Sequence, residues 1–167
     1  QNDFTKSMRK WPGFESLRQG VTGHVIRYTP RDYPIFRRME EGDEYPAALR
    51  VAEEIFEEQK SLLEERLGKA IRPNSRSWLE LRAATVPPYP VSRYPNKFSK
   101  MYKNRPARTV AAHIGKDSYS HIHFDGRQAR CISLREAARL QSFPDGFRFA
   151  GSMNSQLKQI EIGRAHV

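Results

Sequence analysis

Apolar residues recur every three or four positions between Pro46 and Leu67, and that spacing predicts one long amphipathic helix. Ala48, Ala52, Ile55, Phe56, Leu62, Leu63 and Leu67 form its apolar stripe. Glu53, Glu54, Glu57, Glu58, Glu64 and Glu65 are expected to be largely solvated, and Gly68 is a natural stop. A short helix is predicted over 134–142. Ser133 with Glu136 makes a capping-box pattern, Ile132 and Ala137 stand at hydrophobic-staple positions, and Pro144 ends the run. Thr29-Pro30-Arg31-Asp32 reads as another helix start, with a threonine cap, proline in the first position and an acid in the first turn. That helix is expected to reach about Met39, although Pro34 weakens its beginning.

Other stretches follow extended or broken patterns. Gly20 to Tyr28 predicts an extended piece with Val25 and Ile26 as its apolar centre; Trp11-Pro12-Gly13 and Gly42 to Tyr45 predict turns. Thr109 to Ile114 reads as a strand and Gly115 to Ser118 as a polar turn. Tyr119 to Phe124 alternates, with Ile122 and Phe124 on one face and Tyr119, His121 and His123 on the other. Lys116 at the tip of this hairpin is free to reach a phosphate. Ile71 to Pro95 predicts irregular chain, with Pro87-Pro88-Tyr89-Pro90 a stiff connection. There is no internal repeat.

The 167 residues amount to one domain's worth of chain, and 38% hydrophobic against 29% charged residues allows only a modest core. No apolar run approaches the ~20 residues of a membrane span. A single cysteine rules out an internal disulfide, which fits a cytoplasmic protein.

Charge changes the picture more. The net charge is +10 but unevenly spread: residues 40–68 hold ten acids and three bases, while residues 69–130 hold thirteen bases and three acids. A basic block interleaved with Tyr89, Tyr94, Phe98 and Tyr102 points to nucleic acid, whose phosphates such residues neutralise with release of counterions. The acidic run is expected on an outer face turned away from it.

Arg135 and Arg139 are four apart and share one helix face, so they repel unless an anion or a carboxylate lies between them. Bracing a binding surface and meeting phosphate are both open to them. Glu136 is expected to cap its helix and to pair with Arg139. His121-x-His123 could hold a metal, but a third and a fourth ligand are not evident and no metal is expected. His113 and His121 are expected to face nucleic acid or solvent. Cys131 has only Arg130 beside it to favour a thiolate, and is expected to be half-buried and inert.

The run Arg130-Cys131-Ile132-Ser133-Leu134-Arg135-Glu136-Ala137-Ala138-Arg139-Leu140-Gln141-Ser142-Phe143-Pro144-Asp145 resembles the ninth motif of the cytosine-5 DNA methyltransferases. Arg108-Thr109-Val110-Ala111-Ala112-His113-Ile114-Gly115-Lys116-Asp117 is similar to the end of that family's target-recognition region, where a threonine matching Thr109 contacts a phosphate beside the flipped base. Gly23-His24-Val25, Thr29 to Asp32 and Met39 to Gly42 look like the opening of that region. The resemblance is firm over about 108–160 and looser over about 20–107.

The resemblance implies an α+β fragment: a recognition domain plus the return helix of a Rossmann-like α/β methyltransferase. Residues 1–130 would form most of the recognition domain and 131–160 the return to the large domain. The parent would move a methyl group from S-adenosylmethionine to carbon 5 of a cytosine flipped out of double-stranded DNA, acting as a monomer in a restriction–modification system or alone. Phosphate contacts would come from Arg108, Thr109 and Lys116, with Arg135 and Arg139 supporting that surface. Base contacts would come from about 70–107 and the hairpin. The family's Pro-Cys nucleophile, Glu-Asn-Val segment and glycine-rich cofactor loop do not occur in this sequence. The chain is therefore expected to bind no S-adenosylmethionine and to be inactive alone.

The chain opens at Gln1 and is expected to begin in mid-sequence. After Ile160 the family would continue Gly-Asn-Ala-Val-Pro; here Glu161-Ile162-Gly163-Arg164-Ala165-His166-Val167 follows. Those seven residues match the translation of a common short-read sequencing adapter and are expected to be foreign to the protein. The alternatives are a stand-alone basic nucleic-acid-binding module without catalysis and an RNA methyltransferase of the same fold.

Overall fold

In the computed structural model the described residues are 2–16, 20–110, 114–116 and 118–163. They form six helices: α1 Asp3–Arg9, α2 Tyr33–Arg38, α3 Tyr45–Leu67, α4 Arg76–Thr85, α5 Leu134–Leu140 and α6 Met153–Ile162, with a 3-10 turn at Ser118–His121. Among the described residues the β structure is limited to isolated bridges, antiparallel between Glu44 and Ser99 and parallel between Lys100 and Ile122. The β part of the expected α+β class is therefore much smaller than the sequence predicted.

The chain divides into two compact units. The first gathers 1–27, 106–121 and 131–167; the second holds 28–105 and 122–130. A boundary at 130/131 is thus only one of several crossings, because the early segment groups with the late one.

The second unit is organised by α3. Tyr45, Ala48, Ala52, Ile55 and Phe56 are buried along its first three turns, whereas Leu62 and Leu67 are 64% and 45% exposed. The apolar stripe is used only over the part of the helix that has neighbours. Gly68 ends it in the left-handed conformation (φ 63°) that glycine adopts without penalty. α2 starts at Tyr33 rather than after Thr29. Asp32 is its N-cap residue and its carboxylate binds Arg31, while Pro34 lies in the first turn, where a missing N–H costs no helical bond. Pro34 therefore starts this helix instead of weakening it. The stretch expected to be irregular after Ile71 contains α4, whose cap residue Ser75 accepts from the Trp78 amide.

Phe36, Tyr45 and Phe98 fill the middle of this unit, with Tyr45 stacked on Phe98 at 5.2 Å. The Tyr45 hydroxyl donates to the Tyr89 carbonyl at 2.6 Å. Two of the expected solvated glutamates tie helices together: Glu58 takes both ends of Arg38, and Glu53 takes both ends of Arg82, which also lies over the rings of Phe56 and Trp78. Lys100 is 3% exposed and donates to the carbonyls of Phe36 and Met39, which the end of α2 leaves unpaired. Burial pulls its pKa below the ordinary lysine value.

The first unit packs α5 and α6 around Leu134, Ala137, Ala138, Leu157 and Ile160, beside a cluster of Phe143, Phe147 and Phe149 with ring centroids 4.9 to 5.1 Å apart. α1, unforeseen in the sequence, is capped by Asn2, whose side chain accepts from the Thr5 amide, and it buries Met8. Phe14 extends the aromatic cluster by meeting Phe147 at 5.6 Å.

Candidate nucleic-acid interface

The N-terminus of α5 is fully satisfied from within the chain. Ser133 Oγ accepts from the Glu136 amide and Glu136 Oε2 accepts from the Ser133 amide at 2.6 Å, completing the capping box. The two remaining first-turn amides, of Leu134 and Arg135, donate to the carbonyls of Val25 and Gly23. His24 Nδ1 lies 3.1 Å from Ser133 Oγ. The extended piece around Val25 therefore docks through its backbone, and Val25 and Ile26, expected as an apolar centre, are 50% and 41% exposed. With its orphan donors used, this helix end has no amide left to hold a phosphate.

Arg135 is 2% exposed. Its guanidinium donates to the carbonyls of Thr22, Pro144 and Phe147, joining 131–147 to the segment before Gly23. Burial lowers its pKa from the usual arginine value. Arg139 makes a two-pronged bond to Asp145, 2.7 Å at each oxygen, and this bond raises the arginine's pKa. Asp145 thus supplies a carboxylate for the two arginines, and Glu136 adds a smaller attraction on Arg139. Asp145 also donates its amide to the Met8 carbonyl, so one residue ties α5 to α1.

Arg108 and Thr109 are exposed, as is Lys116. They are set by buried neighbours. His121, expected to face solvent or nucleic acid, is 1% exposed: its Nε2 lies 3.1 Å from the Arg108 carbonyl and its Nδ1 2.9 Å from Ser120 Oγ. The expected alternation over Tyr119 to Phe124 fails because Ser118–His121 is a 3-10 turn and His121, Ile122 and His123 are all buried. The Ile132 amide donates to the His121 carbonyl, so this turn is held from both its side chain and its backbone. Arg27 donates to the Gly115 carbonyl and to Asn154 Oδ1 at the start of α6, fixing the loop that carries Lys116. Ala111, Ala112, His113 and Asp117, which belong to the expected hairpin, lie outside the described residues.

Arg108, Thr109, Lys116, Arg135 and Arg139 all fall in the first unit. Sequence reasoning missed their supports. Asp145 stands six positions from Arg139, a spacing with no helical meaning, and nothing local marks Arg27 or His24 as partners of residues about a hundred positions away.

The remaining candidates are simpler. Cys131 is 2% exposed, more deeply buried than expected. Among the described residues no group of three or more metal-ligating side chains is placed to hold an ion. No helix among them is long and apolar enough to cross a membrane.

A cavity of about 470 Å³ lies between α3 and α4, walled by Leu49, Leu79, Val86 and Tyr89, with Glu53 and Arg82 as its charged groups. Those two are bound to each other, which leaves no free carboxylate for the ribose hydroxyls of a nucleoside.

The profile of the family described as C-5 cytosine-specific DNA methylase matches residues 15–165. Over 162 residues, 96% of the chain, the sequence is 41% identical to a protein named as a type II methyltransferase in Oceanobacillus iheyensis, and it covers 32% of that protein. It is 43% identical over 67 residues to a type II methyltransferase of Thalassovita gelatinovora, covering 40% of the chain and 15% of the relative. A match to a type II methyltransferase of Arthrospira platensis is 64% identical over 36 residues, 22% of the chain and 10% of the relative. No solved structure matches the chain. The chain spans about a third of the length of its Oceanobacillus relative. The chain therefore belongs to the family of C-5 cytosine-specific DNA methylases.

Proposed function

We propose that this chain is the DNA-recognition part, with the return into a Rossmann-like catalytic domain, of an enzyme that transfers a methyl group from S-adenosylmethionine to carbon 5 of a cytosine flipped out of duplex DNA. The observation that carries the reading is the run 130–145, folded as a capped α5 whose free amides are taken by Gly23 and Val25, inside a family match over 15–165.

In this reading the exposed Arg108, Thr109 and Lys116 meet backbone phosphates. A Thr109 hydroxyl donates one hydrogen bond; the two cations add charge neutralisation. Arg135 and Arg139 act from inside. One ties together three carbonyls and the other neutralises Asp145, so both brace the surface. S-adenosylmethionine would supply the methyl group, held by parts of the parent that this sequence does not contain. Nucleophilic attack belongs to those parts too, because Cys131 is buried and follows arginine. We place the parent in the cytoplasm, as a monomer on double-stranded DNA.

The test is expression of the full-length gene in a host without cytosine methylation, followed by bisulfite sequencing. Methylation of cytosine at one recurrent sequence is expected from the whole enzyme and none from residues 1–167 alone. Unmodified DNA from the whole enzyme overturns the reading; methylation by the 167-residue chain overturns its assignment as a recognition part.

A further inference from the structure

From Arg82 through Lys116 the sequence contains eight lysines and arginines and no acid. The second unit presents exposed turns within this stretch at 91–97 and at Tyr102-Lys103-Asn104-Arg105, and the latter holds its arginine nearer to a ring, 4.1 Å against 5.3 Å for Arg93 over Tyr94. This second turn is rigidly founded. The Lys100 amide donates to the Asp43 carbonyl, the Gly42 amide donates to the Lys100 carbonyl, and the Lys103 amide donates to Glu41 Oε2. Tyr102 occupies space that only glycine leaves: a Cβ on Gly42 would stand 2.0 Å from the Tyr102 hydroxyl. Tyr102 is 38% exposed, and the Arg105 guanidinium lies 4.1 Å from its ring centroid. Among the described residues that guanidinium makes no hydrogen bond or ion pair.

An exposed arginine that served only solubility would lose side-chain entropy by lying on a ring. Here the ring fixes the guanidinium on a braced turn, with its donors left for a partner. A rigid pair of parallel N–H donors matches the O6 and N7 acceptors that guanine shows in the major groove. The same fork also fits a phosphate, and the sequence dependence of Arg105 variants separates the two; Lys103 beside it supplies a further cation.

We infer that Arg105, oriented by Tyr102, is a specificity-determining residue that reads a guanine in the duplex target. This rests on the function proposed above. Tyr102 and Arg105 belong to the second unit, whereas Arg108, Thr109 and Lys116 belong to the first, so base reading is assigned to residues separate from those assigned to phosphates.

The experiment is methylation of a randomised duplex library by the full-length enzyme, with bisulfite sequencing of the products. The wild type is expected to require a guanine at one or more positions. Arg105→Ala is expected to relax that requirement at one position by on the order of 10- to 100-fold. Arg105→Lys, which keeps the charge and the fold, is expected to relax the same position, because a point charge does not reproduce the paired donors. Tyr102→Leu, which removes the stacking face, is expected to relax it partly. A wild type that modifies a defined sequence, with both arginine variants keeping every preference, overturns this inference and leaves the proposed function standing. A uniform fall in rate over all sequences marks Arg105 as a phosphate contact and overturns it as well. A wild type that methylates no DNA removes both readings.

Discussion

His121 Nε2 lies 3.1 Å from the carbonyl oxygen of Arg108. Only the ring's N–H can serve that oxygen, so Nε2 is the protonated nitrogen and Nδ1 is left to accept from Ser120 Oγ. A buried neutral histidine thereby sets the backbone from which Arg108 and Thr109 project.

This pairing makes stability depend on pH. Burial is the largest influence on His121 and lowers its pKa below the ordinary 6.5. As pH falls through that value the unfolded chain takes up a proton that the fold resists. The unfolded state then binds more protons, and stability declines. Thermal unfolding of the chain is expected at progressively lower temperature below about pH 6.5, the ordinary histidine value. His121→Phe cannot titrate, so its acid decline is expected to be shallower. At pH 8 the same variant is expected to lose about 1 kcal/mol from the missing bond to Arg108. Parallel pH profiles for the two proteins would place the acid sensitivity elsewhere.

The Arg139–Asp145 pair is a two-pronged, largely buried ionic contact in the first unit. The Asp145 side chain is fully buried and that of Arg139 is 21% exposed. Removing one member of such a pair leaves a buried charge unmatched, at about 3 kcal/mol, the lower end of the range because Arg139 keeps some water. Arg139→Ala is expected to show this loss in urea titration. Asp145→Ala is expected to cost at least as much, because Arg135 stands near and draws support from the same carboxylate. The double variant is expected to lose clearly less than the sum, the sign of direct coupling. Simple additivity would mean that the two charges are solvated separately.

Ser133 carries more than an ordinary cap, since its hydroxyl oxygen meets both the Glu136 amide and His24 Nδ1. Ser133→Ala is expected to destabilise by about 1 to 2 kcal/mol, the upper part of the usual range for a lost cap. Glu136→Gln retains an acceptor for the Ser133 amide and is expected to be mild; Glu136→Ala is not. Equal losses from the glutamine and alanine variants, measured by denaturation, would show that charge rather than the reciprocal bond matters.

The capped start of α5 was legible because its signal is local: serine, two residues, glutamate, then apolar spacing. The same holds for α3 and its Gly68 stop. Ser75 caps α4 with no acid three positions on, and Leu79, at the middle of that helix, is 52% exposed, so neither a capping box nor a clean stripe announced it. Thr29 and Pro30 gave a persuasive false start to α2, since the pattern ignores that Asp32 would be spent on Arg31. The site's foundations were least legible. His121 alternates in sequence as a strand residue would, yet it is buried by contacts with Arg108 and with the backbone of Ile132. Gly23 and Val25 serve α5 through carbonyls, which no side-chain pattern encodes.

Gly42 is required twice over by its position. Its φ of 86° is unfavourable for other residues, and a Cβ there would collide with the Tyr102 hydroxyl. Gly42→Ala is expected to destabilise by about 2 kcal/mol or more, with backbone strain supplying about 1 to 2 of it. Combining it with Tyr102→Ala is expected to remove the collision and leave the strain. The double variant should therefore cost less than the two single losses added together. Full additivity in chemical denaturation would mean that Tyr102 moves aside freely, and that the turn bearing Arg105 is not braced.

Arg108 and Lys116 are exposed cations in the first unit, whereas Arg135 has its donors spent on carbonyls. The proposed roles differ accordingly, and salt separates them. Each phosphate neutralised by a protein cation steepens the fall of affinity with salt by about 0.9 in the log–log slope. In the full-length enzyme on a duplex carrying its target, Arg108→Ala and Lys116→Ala are each expected to reduce the slope by about that amount, and together by about twice it. Thr109→Val removes a hydroxyl but no charge, so it is expected to weaken binding with the slope unchanged. Arg135→Lys keeps the charge but cannot reach three carbonyls at once. It is expected to lower the unfolding temperature and leave the slope as it was. A reduced slope for Arg135→Lys would put its guanidinium on the DNA, and an unchanged slope for the Arg108 and Lys116 variants would take these residues off it.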